Sequence, residues 1–114
     1  MIESYSFGRM LVDGEKYRDD LMICDEEVKS GWVRKQGHLL QSDDLTWIVE
    51  KEPDLLIVGT GSSGRMNIED GVSDSLTKHG IELWSGKTSE AADYFNEKKK
   101  DENRKIAAAF HLTC

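Results

Sequence analysis

The sequence predicts an α/β fold of three layers: a central mixed, mostly parallel sheet covered by helices, with an additional N-terminal antiparallel β-meander. The apolar run Leu55–Val58 shows no alternation, which is typical of a parallel strand buried on both faces. From residue 42 onward, segments with helical periodicity alternate with short apolar segments. Upstream of them, strand-like segments flank the turn pair Asp13-Gly14, which indicates a meander.

The first 34 residues are predicted to form three strands. We expect the first strand over 2–12, with a bulge at Gly8, because the apolar residues change parity there. Asp13-Gly14 predicts a two-residue hairpin turn, since both residues tolerate positive φ. The returning strand covers 15–24, and a weaker third strand covers 28–34.

Three helices and three strands are predicted for the rest of the chain. Ser42 can cap the first helix, and Pro53, the only proline, ends it. Gly80 is expected just after the second helix, with Ile81 making the hydrophobic contact that follows such a cap. The spacing of the strands favours parallel crossovers within one domain over residues 1–114. The remaining predicted elements are strands over 54–60, 81–85 and 105–111 and helices over 70–79 and 89–100.

Composition and charge exclude several classes of protein. The formal net charge is -7 and the isoelectric point is about 4.9, so the surface repels nucleic acid and anionic lipid. No metal site is expected, because Cys24 and Cys114 have no ligand-spaced partners. The two cysteines are predicted to be free thiols, with a disulfide between them as the alternative. The absence of a signal peptide and of an apolar span of about 20 residues predicts a cytoplasmic protein that does not insert into a membrane.

The strand over 54–60 runs into residues 59–64, whose G-x-G-x-x-G pattern is that of dinucleotide-binding loops. Such a loop must open directly into a helix, and Gly71 opposes an early helix here. Glu82, the acid at about the right distance for the ribose, lies too early in its strand. We therefore interpret the pattern as a glycine-rich turn, with a dinucleotide site as the alternative, and predict no cofactor.

The ends of two predicted parallel strands define a candidate binding site, because open α/β sheets bind ligands at these ends. Backbone amides of the glycine loop can form a nest for an anion, and nearby cations can supply charge. The one locally basic stretch, 29–38, adds an aromatic, an arginine and a histidine. The candidate ligand-binding residues are Gly59, Gly61, Ser62, Ser63, Arg65, Lys87, Thr88, Trp32, Arg34 and His38.

Two functions compete on this evidence. The first is a non-enzymatic domain that binds a partner protein or a small anionic ligand at the 59–65 loop. The second is an enzyme acting on a small phosphorylated or nucleotide-like substrate, with His38 as acid or base. No nucleophile, metal set or carboxylate pair supports catalysis, and His111 is expected to be a hydrogen-bonded strand residue. The sequence therefore favours binding and assigns no catalytic residue.

Six blocks of sequence, taken together and in order, resemble the Mth-type domain family of small proteins of unknown function, whose larger mitochondrial relatives take part in complex I assembly. The resemblance implies the three-layer α/β fold with a mixed sheet and a last strand that runs antiparallel to the rest. It implies no reaction. The blocks are Ser6–Gly8, Trp32–His38, Pro53–Gly61, Lys78–Glu82, Thr88–Asn96 and Ala109–Cys114.

Overall fold

The computed structural model describes residues 1–114 as ten strands and three α-helices. A 3-10 turn, Ser42–Leu45, leads directly into the first helix. The helices are α1 (Thr46–Lys51), α2 (Val72–Lys78) and α3 (Thr88–Lys98). The strands are β1 (Ile2–Ser6), β2 (Arg9–Val12), β3 (Glu15–Tyr17), β4 (Leu21–Cys24), β5 (Glu27–Ser30), β6 (Leu39–Leu40), β7 (Leu55–Gly59), β8 (Asn67–Ile68), β9 (Glu82–Gly86) and β10 (Ile106–Phe110).

The central sheet is mixed, with strand order β5-β4-β10-β7-β9. β7 lies inside it and pairs in parallel with both β10 and β9, whereas β10 pairs antiparallel with β4 and β4 with β5. Every residue of β7 is buried, so the predicted buried parallel strand is confirmed. The resemblance implied that the last strand, β10, runs antiparallel to the rest, and this prediction is wrong for β7, with which β10 pairs in parallel. The helix α3 carries the chain from β9 back across the sheet as a parallel crossover.

The N-terminal prediction was only partly right. Residues 2–12 are not one bulged strand: β1 and β2 form a hairpin, and Gly8 lies in its turn with φ of +75°. The change of apolar parity therefore marks a reversal of the chain, and the backbone of Gly8 is fixed by a 2.8 Å hydrogen bond from its amide to the carbonyl of Leu112. The turn at Asp13-Gly14 is confirmed, with φ of +48° and +84°. β1, β2 and β3 form a separate antiparallel sheet.

Two further boundaries differ from prediction. The expected strand 15–24 is divided between two sheets, since β3 pairs with β2 and β4 with β10. The expected strand 28–34 ends at Ser30, because Gly31 adopts φ of +69° and turns the chain into an irregular loop. That loop, residues 31–38, carries three of the candidate site residues. Gly80 follows α2 with φ of +74°, and the amide of Ile81 bonds the carbonyl of Leu76, as the predicted cap requires.

Each face of the central sheet carries its own apolar core. On one face, α3 packs Ala91 and Phe95 against Ile57 of β7, and the N-terminal sheet adds Met10 and other buried side chains. On the opposite face, residues of α1 and α2, such as Ile48 and Leu76, cover Leu56 and Val58. The three consecutive alanines of β10 alternate between these cores. Both cysteines are free, and no helix has the length and apolarity needed to cross a membrane.

Candidate functional site

The glycine loop begins where α3 packs on the end of β7. A Cβ at Gly59 would lie 2.8 Å from the ring of Phe110 and 2.9 Å from the hydroxyl of Thr88, so only glycine fits this close approach. The Thr88 hydroxyl accepts a hydrogen bond from the amide of Gly61 (2.9 Å) and donates one to the carbonyl of His111 (2.6 Å). Thr88 thus joins the loop, α3 and the C-terminal segment.

The segment His111–Cys114, which we call the strap, lies directly over the glycine loop. The amide of Ser62 donates to the carbonyl of Thr113 (2.6 Å), and the amide of Arg65 donates to the carbonyl of Cys114 (2.9 Å). Gly61 adopts φ of +110°, and a Cβ there would overlap the carbonyl group of Cys114. The amides of Ser62 and Arg65 therefore bind the chain's own backbone, and none of the surface cavities is lined by residues 59–65.

The loop does not have the geometry of a dinucleotide site. α2 begins only at Val72, and residues 65–71 between the loop and the helix contain the short strand β8. The helix that does approach the loop is α3, whose Thr88 amide donates to the carbonyl of Gly61 (3.1 Å). A pyrophosphate would need free amides at a helix N-terminus that starts within the loop, and this arrangement is missing.

A cluster of three polar side chains, two buried and one partly exposed, anchors the strap to the rest of the molecule. Oδ2 of Asp20 lies 2.7 Å from Nη2 of Arg34 and 2.7 Å from Nδ1 of His111, and Oδ1 accepts a 2.7 Å hydrogen bond from the amide of Leu112. The amide of Trp32 also bonds the carbonyl of Asp20 (2.9 Å), which brings the 31–38 loop alongside. Asp20 therefore holds both the loop and the strap in place.

The electrostatics of the cluster follow from this geometry. Burial raises the pKa of the Asp20 carboxyl, but the hydrogen bonds from Leu112, His111 and Arg34 outweigh it, so the pKa lies below its ordinary value. Because Asp20 is ionised, Nδ1 of His111 is the nitrogen that donates to it. The guanidinium of Arg34 also lies 4.7 Å from the ring centre of Trp32 and donates from Nε to the carbonyl of Gly37 (3.1 Å).

Two polar atoms of this cluster have no hydrogen-bond partner. They are Nη1 of Arg34 and Nε2 of His111, and both are buried. The exposed imidazole of His38 makes an edge contact with that of His111, with 5.7 Å between ring centroids. On the other side of the strap, the Tyr5 hydroxyl donates to the carbonyl of Leu112 (2.7 Å), and burial raises the pKa of Tyr5. The cluster is thus enclosed but incompletely hydrogen-bonded.

The structure brings most of the sequence-predicted site residues together around the strap. The strap is contacted or hydrogen-bonded by Gly61, Ser62, Arg65 and Thr88. Gly59 packs against Thr88. Arg34 and His38 meet it through His111, and Trp32 stacks on Arg34. Ser63 and Lys87 remain exposed and outside the cluster.

Sequence reasoning did not place Asp20 or Tyr5 in the site and treated His111 only as a hydrogen-bonded strand residue. Its hydrogen bonding is confirmed, but His111 lies just beyond β10, and its bond to Asp20 spans 91 positions of the chain. The available signal was the polar residues His111 and Thr113, which follow Phe110 at the end of the last predicted strand. Functional side chains collect at the carboxyl ends of parallel strands.

The fold and site together define a small mixed α/β domain whose C-terminal segment covers the ends of its parallel strands. Residues 2–111 match the model of a protein family of unknown function (DUF498/DUF598), and the chain belongs to this family. Its sequence resemblance to Mth-type domains is confirmed by the family match and by the structural neighbours.

Solved structures with the same fold come from archaea and bacteria. A conserved hypothetical protein from Pyrococcus horikoshii OT3 is 23% identical, with 100% of this chain and 99% of that chain covered and a TM-score of 0.82. A protein named MT938 is 22% identical, with coverage of 100% and 98% and a TM-score of 0.79. A Mth938-like domain from Bordetella pertussis is 16% identical, with coverage of 98% and 85% and a TM-score of 0.65. These similarities establish the fold and not an activity.

Proposed function

We propose that this chain is a protein-interaction domain, located in the cytoplasm, that docks a partner on the surface around the strap. The observation that carries the proposal is that two strongly exposed apolar side chains flank this one segment. Phe7 is 62% exposed and Val33 is 85% exposed, which makes them the most exposed large hydrophobic residues of the chain. Single exposed apolar residues are common, but apolar residues grouped with a polar rim are typical of interaction sites.

Both side chains are tied to the strap by neighbouring contacts. Phe7 precedes Gly8, whose amide donates to the carbonyl of Leu112, and a Cβ added at Gly8 would lie 3.9 Å from the methyl group of Thr113. Val33 and Thr113 line one cleft of about 290 Å³, together with charged side chains of both signs. A partner that covers the strap would therefore bury an apolar centre inside a polar rim, as specific interfaces do. We call the surface of Phe7, Val33 and Thr113 the docking surface.

A partner protein explains this region better than an anion held by the glycine loop. The amides of Ser62 and Arg65, which an anion nest would need, already donate to the strap. We take the central sheet as the middle of three layers, which the apolar cores on both of its faces support. We also take the parallel strands as the dominant part of this sheet. In that arrangement the strap closes the strand ends, and the exposed apolar side chains of Phe7 and Val33 flank it. The two free thiols support the cytoplasmic location.

Crosslinking in lysate, with three single variants beside the wild type, tests the proposal. Phe7→Ser and Val33→Asp change exposed side chains and should leave folding intact. Ser73→Asp, on the exposed surface of α2, is the control for an added carboxylate. We expect a partner that the wild type and Ser73→Asp capture equally and that both docking-surface variants lose. With that partner purified, each of the two variants should weaken binding about tenfold or more.

The proposal fails if every captured protein is retained by both docking-surface variants. The enzymatic alternative is favoured by one contact, the edge-on packing of His38 against His111. It predicts turnover of a phosphorylated or nucleotide-like compound that His38→Gln abolishes without loss of stability. Turnover that survives His38→Gln would exclude His38 as the acid or base.

A further inference from the structure

We propose that Asp20, Arg34 and His111 form a binding site for a small monocarboxylate, which binds together with one proton from solvent. The proposal does not depend on a protein partner, and its test uses the isolated chain. It rests on the two unpartnered atoms of the cluster, on their spacing, and on the charge that the cluster carries.

Two atoms of the cluster have unmet hydrogen-bonding capacity. Arg34 is 8% exposed and His111 is 5% exposed, yet Nη1 of the first and Nε2 of the second have no partner. Buried polar atoms are nearly always hydrogen-bonded, and leaving one unpaired costs about 1–3 kcal/mol. Two such atoms on two side chains that touch each other indicate a group that normally lies between them.

The guanidinium of Arg34 and the ring of His111 are closely spaced. Nη2 of Arg34 and Nδ1 of His111 are 3.1 Å apart, and both lie against the same oxygen of Asp20. The unpartnered atoms belong to the same guanidinium and the same ring, each only two bonds from those inner atoms. One small group with two adjacent oxygens would have to bridge the guanidinium and the ring to contact both. A cleft of about 290 Å³, lined by Asp20 and Trp32, borders the cluster on the side of Asp20.

The charge of the cluster favours an anion only when His111 is protonated. Asp20 neutralises Arg34, and a neutral His111 that donates from Nδ1 presents a lone pair at Nε2, which repels a carboxylate. Protonation of His111 turns Nε2 into a donor and leaves the cluster with one net positive charge, which one carboxylate balances. The other titratable side chain in contact with His111 is the exposed imidazole of His38, which carries no negative charge.

The geometry selects a carboxylate over a phosphate. Arg34 donates from Nε to the carbonyl of Gly37 and from Nη2 to Asp20, so Nη1 is its one nitrogen without a partner. A two-pronged contact with phosphate through Nη1 and Nη2 would have to share Nη2 with the carboxylate of Asp20. A dianion would also exceed the single positive charge of the protonated cluster. The site fits one carboxylate that makes one bond to Arg34 and one to His111.

Nitrogen NMR of the His111 imidazole tests this without any substitution. Long-range spectra distinguish a ring nitrogen with a proton from one without. On titration with formate, we expect Nε2 of His111 to change saturably from the unprotonated to the protonated position. Calorimetry in two buffers of different ionisation enthalpy should show uptake of one proton, with affinity falling about tenfold per pH unit where His111 is neutral before binding. If formate does not change the Nε2 signal of His111, no carboxylate binds there, and this result would overturn the proposal.

Comparison of formate with other anions and with peptides defines the chemical class of the ligand. Chloride or phosphate binding as tightly as formate would overturn the selection of a carboxylate. Formate and acetate report a free small carboxylate, whereas a tripeptide with a free C-terminus, compared with its C-terminal amide, reports a chain end. Binding of the amide as tightly as the free acid would contradict recognition of the carboxylate.

Two variants complete the experiment. Arg34→Met keeps the aliphatic bulk over Trp32 but removes Nη1, and it should weaken formate binding about ten- to hundredfold. Lys35→Met removes an exposed cation from the same loop and should leave binding unchanged. Equal losses in both variants would show general attraction by surface charge and would refute the site. If Arg34→Met does not fold, the titration of the unsubstituted protein still decides the question.

Discussion

Replacing Gly61 by alanine should detach the strap from the glycine loop. The added Cβ would overlap the carbonyl group of Cys114, and the backbone at φ of +110° disfavours any side chain. The left-handed backbone costs about 1–2 kcal/mol. Loss of the hydrogen bonds from the amides of Ser62 and Arg65 to the strap costs about 1 kcal/mol each. We therefore expect the free energy of unfolding to fall by about 3–4 kcal/mol.

Gly71→Ala is the matched control for Gly61→Ala. Gly71 also has positive φ, +91°, but a Cβ there would meet no atom within 4 Å. It should lose only the backbone contribution of about 1–2 kcal/mol. Urea denaturation measures both changes, and hydrogen exchange of the Ser62 and Arg65 amides should accelerate in Gly61→Ala alone. Equal destabilisation by the two substitutions, with both amides still protected, would refute the packing of the strap on the loop.

The remaining predictions concern the other anchors of the strap. Thr88→Val keeps the shape of the side chain but leaves the amide of Gly61 and the carbonyl of His111 without their partner. In urea denaturation it should lower the free energy of unfolding by about 2–3 kcal/mol. Thr88→Ser keeps the hydroxyl and should recover most of this loss, and an equal loss in both variants would contradict the role of the hydroxyl. Asp20→Asn leaves the buried guanidinium of Arg34 without its partly exposed counter-charge and should cost about 3 kcal/mol near neutral pH, the low end for a buried ion pair. Because the folded-state pKa of Asp20 lies below its ordinary value of 3.8, this stabilisation is fully present above that pH and is lost as the pH falls through the folded-state pKa. Denaturation curves of the wild type and Asp20→Asn should therefore converge in acid, and a constant difference down to about pH 2 would contradict the assignment.

Local sequence patterns predicted some parts of the candidate site and not others. The glycine loop and the basic loop were both predicted as parts of one site, since the first follows a buried strand and the second holds the only basic cluster. Their junction was not predicted, because Asp20 and His111 meet across 91 positions and neither belongs to a recognised motif. The backbone amides of the glycine loop were expected to face an anion, and the amides of Ser62 and Arg65 face no ligand site. They face the strap, whose path over the loop depends on the packing of β10 and α3.

The sequence by itself determined the elements whose signal is local: the buried strand at Leu55–Val58, the turn at Asp13-Gly14 and the cap at Gly80 all follow from short-range periodicity or from allowed φ values. Tertiary structure decided the rest. Whether Gly8 bends a strand or reverses it depends on a bond to Leu112, more than a hundred residues away. Likewise, a partly buried carboxylate such as Asp20 is stabilised by donors that are distant in the sequence, and only the folded chain assembles those donors.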